Sequence, residues 1–241
     1  MRIDIDPQQL SNNAVATISM VSDAELALSA LCQTLRQRKN LLTQDSAKAI
    51  VSKINNALQK QFTEPAEQYD SLLCAITTTH PNAIIVGDST KPIYHANFVH
   101  RAPAPRHWFN SATGFGTLGY ALPAAIGAKL GKPDKPVIAI VGDGGFQFTL
   151  NELMVASQEN IAIAIIVWNN NGYKEIGDFM ERNKITPVGV DVTGPNLKLL
   201  ANAMNTDYAK AECVSDIAEL LVPLTDCSTP LLIEYVTDVD A

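Results

Sequence analysis

Two unbroken apolar runs, Val137-Ile-Ala-Ile-Val141 and Ile161-Ala-Ile-Ala-Ile-Ile-Val-Trp168, constrain this chain more than any other feature. A strand with one wet face alternates apolar and polar residues. A continuous apolar strand is buried on both faces, as in a parallel sheet covered by helices above and below. Each run closes on a polar motif, Gly142-Asp-Gly144 after the first and Asn169-Asn-Asn171 after the second. Between them, Thr149-x-x-Glu152 reads as a capping box that opens a helix through Leu153, Val155 and Ala156. A strand–loop–helix–strand unit of this kind brings two strand ends to one edge, where Asp143 and an asparagine can share an ion. Glycines let the backbone approach a phosphate closely, and Asp143 supplies a hard oxygen. Mg²⁺ suits such a place, because it is commonly held by one or two carboxylates together with substrate phosphates. Either motif alone is an ordinary turn. Their pairing suggests a metal–diphosphate clamp.

The remainder of the chain extends the pattern. Asn82-Ala-Ile-Ile-Val86 is strand-like, and a glycine-rich helix start spans 114–128. A helix near 196–205 precedes a strand near 208–212, and a helix near 216–224 precedes the strand Leu231-Leu-Ile-Glu-Tyr-Val236. The implied fold class is α/β, a doubly wound, mainly parallel sheet with helices on both faces. The beginning differs. Arg2-Ile-Asp-Ile-Asp6 alternates as a short strand ended by Pro7, and Asp23 is placed to cap a helix carrying Ala27, Leu28, Leu31 and Leu35. One strand and one helix cannot bury a core. Residues 40–65 then read as an amphipathic linking helix with Ile50, Ile54, Ala57 and Leu58 on one face, bounded by Glu64-Pro65. The expected organisation is a piece of another domain over 1–39, a linker over 40–65 and the α/β domain over 66–241.

Charge and cysteines exclude several function classes. A net charge of −7 leaves no basic stripe for nucleic acid. No apolar run approaches the ~20 residues that span a bilayer. The acidic start lacks the apolar centre of a secretory signal. Cys32, Cys74, Cys213 and Cys227 are widely separated without a CxxC, as expected for buried free thiols in a reducing compartment, the cytoplasm. His80, His95, His100 and His107 lack metal-site spacing and read as surface or loop residues.

GDG, a long spacer and NN together resemble the signature of thiamine-diphosphate (ThDP) enzymes, as does Gly114-Phe-Gly-Thr-Leu-Gly-Tyr-Ala-Leu-Pro-Ala-Ala-Ile-Gly127. The chain is most similar to the acetohydroxyacid synthase and 2-oxo-acid decarboxylase group. Gly87-Asp-Ser-Thr90, Trp108-Phe-Asn-Ser111 and Pro187-Val-Gly-Val-Asp191 look particularly like 5-guanidino-2-oxopentanoate decarboxylases. The resemblance covers almost the whole chain. It implies the diphosphate-binding portion of such an enzyme, with residues 1–39 as the last piece of a central domain. It also implies a 2-oxo-acid substrate, ThDP and Mg²⁺ as cofactors, and a homodimer or tetramer.

By the same resemblance, Asp143, the side chain of Asn170 and the carbonyl of Gly172 are the metal ligands. Asn171 is the alternative ligand if the register slips by one, and Asn169 braces the turn. Gly142, Gly144 and Gly145 form the diphosphate cradle, with Tyr173 at the same end. The carbonyl of Gly116 faces the pyrimidine amino group, and Leu118 wedges the cofactor into a bent shape. Thr90 and Lys91 fall where related synthases carry Gly-Gln-His, so a phosphate contact there departs from the pattern. His107 and Trp108 are candidates to face substrate. Glu175 and Asp178 either meet a cationic substrate tail or form a solvated helix face. The family's activating glutamate belongs to a pyrimidine-binding domain, and Glu25, Glu64 and Glu67 lack its surroundings. No catalytic residue is therefore assigned here, and the isolated chain is expected to be inactive. The alternative is a non-catalytic cofactor-binding or assembly module.

Overall fold

The computed structural model describes residues 1–38, 44–59 and 65–237. The chain divides into two compact units, residues 1–56 and 57–241. In the first, strand β1 (Arg2–Asp4) pairs in parallel with β2 (Ser19–Val21), a strand not foreseen from the sequence. Helix α1 (Ala24–Arg36) is capped as expected, with the Asp23 carboxylate accepting from the N–H groups of Glu25 at 2.9 Å and Leu26 at 3.1 Å. Ala27 is the buried residue of α1, while Leu28 and Leu35 stay exposed. Helix α2 (Gln44–Gln59) covers the described part of the expected linking helix; Glu64 lies outside the described residues.

The second unit opens with α3 (Pro65–Thr79), followed by β3 (Ile84–Gly87), α4 (Lys91–Val99) and β4 (Trp108–Asn110). Helix α5 (Ala121–Gly131) leads to β5 (Val137–Gly142), the single turn α6 (Asp143–Phe146) and α7 (Glu152–Gln158). Then come β6 (Ala164–Asn169), α8 (Lys174–Arg182), α9 (Leu197–Ala203), β7 (Asp207–Ala211), α10 (Asp216–Leu221) and β8 (Leu231–Val236). Six strands form one sheet in the order β4-β3-β5-β6-β8-β7, and every pairing is parallel.

Strand periodicity explains why the apolar runs are unbroken. Val137, Ala139 and Val141 of β5, with Ile165 and Val167 of β6, pack on one face against Leu122, Leu153 and Leu197 of α5, α7 and α9. Ile138 and Ile140, with Ile166 and Trp168, face the other way onto Leu72, Ile93 and Ile217 of α3, α4 and α10. Both faces are dry. The chain steps from β3 outward to β4, then returns to β5 on the other side of β3, so the sheet's direction of winding reverses between β3 and β5. Ligands of open α/β sheets bind outside the carboxyl ends of strands at such a point.

Several local expectations are corrected. The capping box does not form. Thr149 Oγ1 donates to the Gly119 carbonyl at 3.0 Å, and Asn151 occupies the N-cap with its side chain capping no backbone N–H of the helix. A tertiary acceptor outcompetes the local one. Asp143 lies not in a loop but at the first residue of α6. The predicted strand from Ile161 begins its regular span only at Ala164. Helix α3 was missed although Tyr69, Leu72, Leu73 and Ile76 recur at helical spacing, and β4 is too short to show a period. His80 and His95 are buried rather than superficial, with His80 Nε2 2.8 Å from the Leu221 carbonyl and His95 Nε2 2.8 Å from Asp70 Oδ1. The cysteines are free, but Cys32, Cys74 and Cys213 are exposed and Cys227 is half-buried, because each sits on an outward face or connection rather than in the sheet. No helix among the described residues is long and apolar enough to cross a membrane.

Candidate functional site

The carboxyl ends of β3, β5 and β6 bring Asp88, Asp143 and Asn170 to one edge of the sheet. A cleft of about 280 Å³ opens there. It is lined by nine of the sequence-predicted positions: Thr90, Gly116, Leu118, Gly142, Gly144, Gly145, Asn170, Gly172 and Tyr173. Asp143 lies beneath that surface and lines a second cavity with Asn169 and Asn171. Lys91 and Glu175 also line the cleft, whereas Asp178 is engaged with Lys91, Nζ to Oδ2 at 2.8 Å. His107 and Trp108 are not among the lining residues; the Trp108 indole N–H donates to Asn97 Oδ1 at 3.1 Å.

Asp143 and Asn170 are both buried, and the Asn170 N–H points at Asp143 Oδ1 from 3.4 Å. The tip of the Asn170 amide lies 3.1 Å from Asp143 Oδ1 and 3.0 Å from the Gly172 carbonyl oxygen. With its nitrogen turned inward, the amide donates to both. With its oxygen turned inward, three oxygens from three residues converge on one point, which a cation reconciles. This donor set, one carboxylate, one amide and one carbonyl, suits a hard divalent ion with room left for phosphate oxygens. Burial pushes the Asp143 carboxyl up from its ordinary pKa, opposed by N–H groups of Asn170, Gly172 and Gly144.

The turn carrying Asn170 and Gly172 depends on two close approaches. A side chain on Gly172 would begin 2.6 Å from the Val190 carbonyl oxygen, and its φ of +157° lies outside the range favoured by other residues. A side chain on Gly144 would meet the Tyr173 ring at 2.4 Å, so Tyr173 closes over the backbone of α6. On the opposite wall, Ser89 Oγ donates to the Gly116 carbonyl at 3.0 Å. Leu118 is half-buried, with Cδ2 3.4 Å from where a Gly145 side chain would start. Leu118 and the glycine cradle thus face one another across the cleft.

Sequence reading missed two supporting groups. Asp88 is wholly buried. Its Oδ1 accepts from Ser89 N–H at 2.7 Å and its Oδ2 from Ala121 N–H at 3.2 Å, with the N–H groups of Gly119 and Tyr120 also bearing on it. Desolvation raises its pKa, and those four amides pull it back. One carboxylate therefore ties the Gly116–Tyr120 segment to the end of β3. The second group lies behind the clamp. Tyr208 Oη donates to Glu234 Oε2 at 2.7 Å, Asn169 Nδ2 donates to Glu234 Oε1 at 2.9 Å, and Asn169 Oδ1 accepts from Asn171 N–H at 3.1 Å. Asn169 thus ties the turn after β6 to β8. Burial, then the Glu234 hydrogen bond and charge, push the Tyr208 phenol well up. A lone Glu in β8 and an Asp after a glycine carry no spacing signal; only the pairing of strands reveals their partners.

A parallel α/β sheet with a glycine-lined cleft and a buried carboxylate–amide pair at its switch point defines a cofactor-binding domain of the diphosphate class. Residues 86–235 match the family described as "Thiamine pyrophosphate enzyme, C-terminal TPP binding domain", and the chain belongs to that family. It is 36% identical over 207 residues to the probable 2-ketoarginine decarboxylase of Pseudomonas aeruginosa, covering 84% of this chain and 36% of that protein. It is 32% identical over 240 residues to the acetolactate synthase large subunit of Lactococcus lactis, covering 96% of this chain and 40% of that one. A thiamine diphosphate-dependent 4-hydroxybenzoylformate decarboxylase from Rhodococcus jostii RHA1 shares the fold, with a TM-score of 0.75 at 23% identity over 98% of this chain and 43% of its own. The chain thus spans less than half the length of these relatives.

The Asp88 geometry generates a stability prediction. Asp88→Asn replaces one accepting oxygen with an amino group facing N–H donors. Unfolding in urea should show a loss of about 1–3 kcal/mol; an unchanged midpoint would mean that the loop holds itself.

Proposed function

We propose that this chain is the Mg²⁺- and diphosphate-binding part of a ThDP-dependent 2-oxo-acid decarboxylase or carboligase. On this reading it works with a pyrimidine-binding domain from the rest of a longer polypeptide or from another subunit. The observation that carries the reading is the convergence of Asp143, Asn170 and the Gly172 carbonyl beside a cleft walled by Gly144, Gly145 and Leu118. The similarity to a probable 2-ketoarginine decarboxylase supports 2-ketoarginine, that is 5-guanidino-2-oxopentanoate, as a substrate to test first.

When bound, ThDP would supply a nucleophilic carbon and an electron sink for decarboxylation of a 2-oxo acid. This chain's own residues would position that chemistry. Asp143, the Asn170 amide oxygen and the Gly172 carbonyl would hold Mg²⁺ beside the diphosphate. The N–H groups of Gly144 and Gly145 donate to phosphate oxygens, with Thr90 and Lys91 flanking them. The Gly116 carbonyl keeps one lone pair for the pyrimidine amino group, because Ser89 occupies only the other. Leu118 needs bulk rather than polarity to keep the two rings bent towards each other. The proton relay at the pyrimidine falls to a glutamate of the partner domain. Phe115, wholly exposed beside Gly116, and exposed Phe148 offer apolar surface for that domain to cover.

Asp143→Ala should abolish Mg²⁺-dependent ThDP binding, as read by calorimetry; unchanged affinity would remove Asp143 from the metal site. In the assembled enzyme, Leu118→Ala should lower kcat more than it weakens ThDP binding, because bending serves the reacting geometry and not the phosphate grip. Equal losses would make Leu118 ordinary packing. The purified chain, given ThDP and Mg²⁺, should release no carbon dioxide from pyruvate or 5-guanidino-2-oxopentanoate, and should do so once a pyrimidine-binding domain is added. Robust turnover by the chain alone would overturn the division of labour. Continued silence in the assembled protein would favour a non-catalytic binding module.

A further inference from the structure

Resting on the decarboxylase reading, we infer that Glu175 recognises the cationic end of a 2-oxo-acid substrate, and that Arg182 holds its place when the cleft is empty of substrate. Glu175 stands in the first turn of α8, three residues beyond the Gly172 carbonyl, and it is the carboxylate among the residues lining the cleft. Its Oε1 lies 3.2 Å from Arg182 Nη2. The two residues are seven apart, two turns along one face of α8. The carboxylate is therefore already set to accept from a guanidinium, and its side chain remains 45% exposed beside the cleft. An exposed pair of this kind contributes little to the fold and exchanges readily for another guanidinium. A planar guanidinium on a short carbon chain matches a carboxylate in a way a compact neutral tail does not.

The neighbouring charges sort to the same effect. Lys91 is engaged with Asp178 at 2.8 Å, one turn along α8 from Glu175. Lys91 also follows Thr90, whose Oγ1 lies 3.3 Å from where a Gly142 side chain would start. This cation therefore stands at the phosphate end of the cleft. Lys174, the other cation lining the cleft, directly precedes Glu175. Asp178, the second acidic residue of α8 that the sequence offered for a cationic tail, is held by Lys91 and does not line the cleft. Glu175 does line it, while its partner Arg182 does not, so a guanidinium arriving in the cleft can take Arg182's place.

The experiment uses the assembled enzyme with ThDP and Mg²⁺, and compares kcat/KM for 5-guanidino-2-oxopentanoate and for the uncharged 2-oxohexanoate. The parent should favour the guanidino acid. Glu175→Gln should lower the ratio of the two kcat/KM values by about two- to fivefold, the weight of a partly exposed ion pair. Arg182→Gln, which removes the internal competitor, should hold that ratio or raise it. An unchanged ratio in Glu175→Gln, or equal losses on both substrates, would overturn the inference while leaving the decarboxylase reading intact. So would a parent that prefers 2-oxohexanoate. A parent that turns over neither acid, nor pyruvate, would overturn the decarboxylase reading and this inference with it.

Discussion

Everything in the larger unit follows from a parallel hydrogen-bonded ladder that is dry on both faces. Ile138, Ile140, Ile165, Ile166 and Trp168 leave no room for a polar group within the two central strands, β5 and β6. A side chain that must meet ligand or water therefore emerges where a strand stops. Because all six strands run the same way, those stops lie on one edge. Reversal of winding between β3 and β5 opens that edge into a cleft. The position of the site is a consequence of strand direction before it is a matter of any particular residue.

Placing polar groups at strand ends creates a second requirement, that each be held. Asp143 and Asp88 are buried carboxylates whose desolvation is partly offset by backbone N–H donors. Asp88 spends its oxygens on the segment carrying Gly116 and Leu118. Asp143 keeps an oxygen directed at Asn170 and Gly172. Behind them, the Tyr208–Glu234–Asn169 chain anchors the turn after β6 to two neighbouring strands, β7 and β8. The Asn169–Gly172 turn is thus held from a side of the sheet remote in sequence from its own motif.

Much of this was legible in the residues alone. The apolar runs announced buried parallel strands, and GDG and NN stand at the ends of two of them, where Asp143 and Asn170 meet. The glycine-rich stretch announced the opposing wall. What stayed hidden has a common cause. Helix α3, strand β4 and the partners of Asp88 and Glu234 are decided by contacts between distant segments, which leave little local period. Thr149 shows the point in miniature. Its spacing to Glu152 is that of a capping box, yet its hydroxyl goes to Gly119, an acceptor that only the folded chain supplies. His95 likewise reads as a surface residue until Asp70 of α3 is packed against it.

The amino-acid sequence by itself determined the class of fold, its two central buried strands and the polar motifs that end them, because hydrophobic period and turn chemistry are local properties. The tertiary structure alone decided the rest. It selected which oxygens of Asp143, Asn170 and Gly172 share a point. It made Asp88 a strap for the Leu118 segment and Asn169 a brace. It set Glu175, one acid among several on a helix face, among the residues that line the cleft. Convergence is a relation between strand ends, and strand ends become neighbours only when the sheet is assembled.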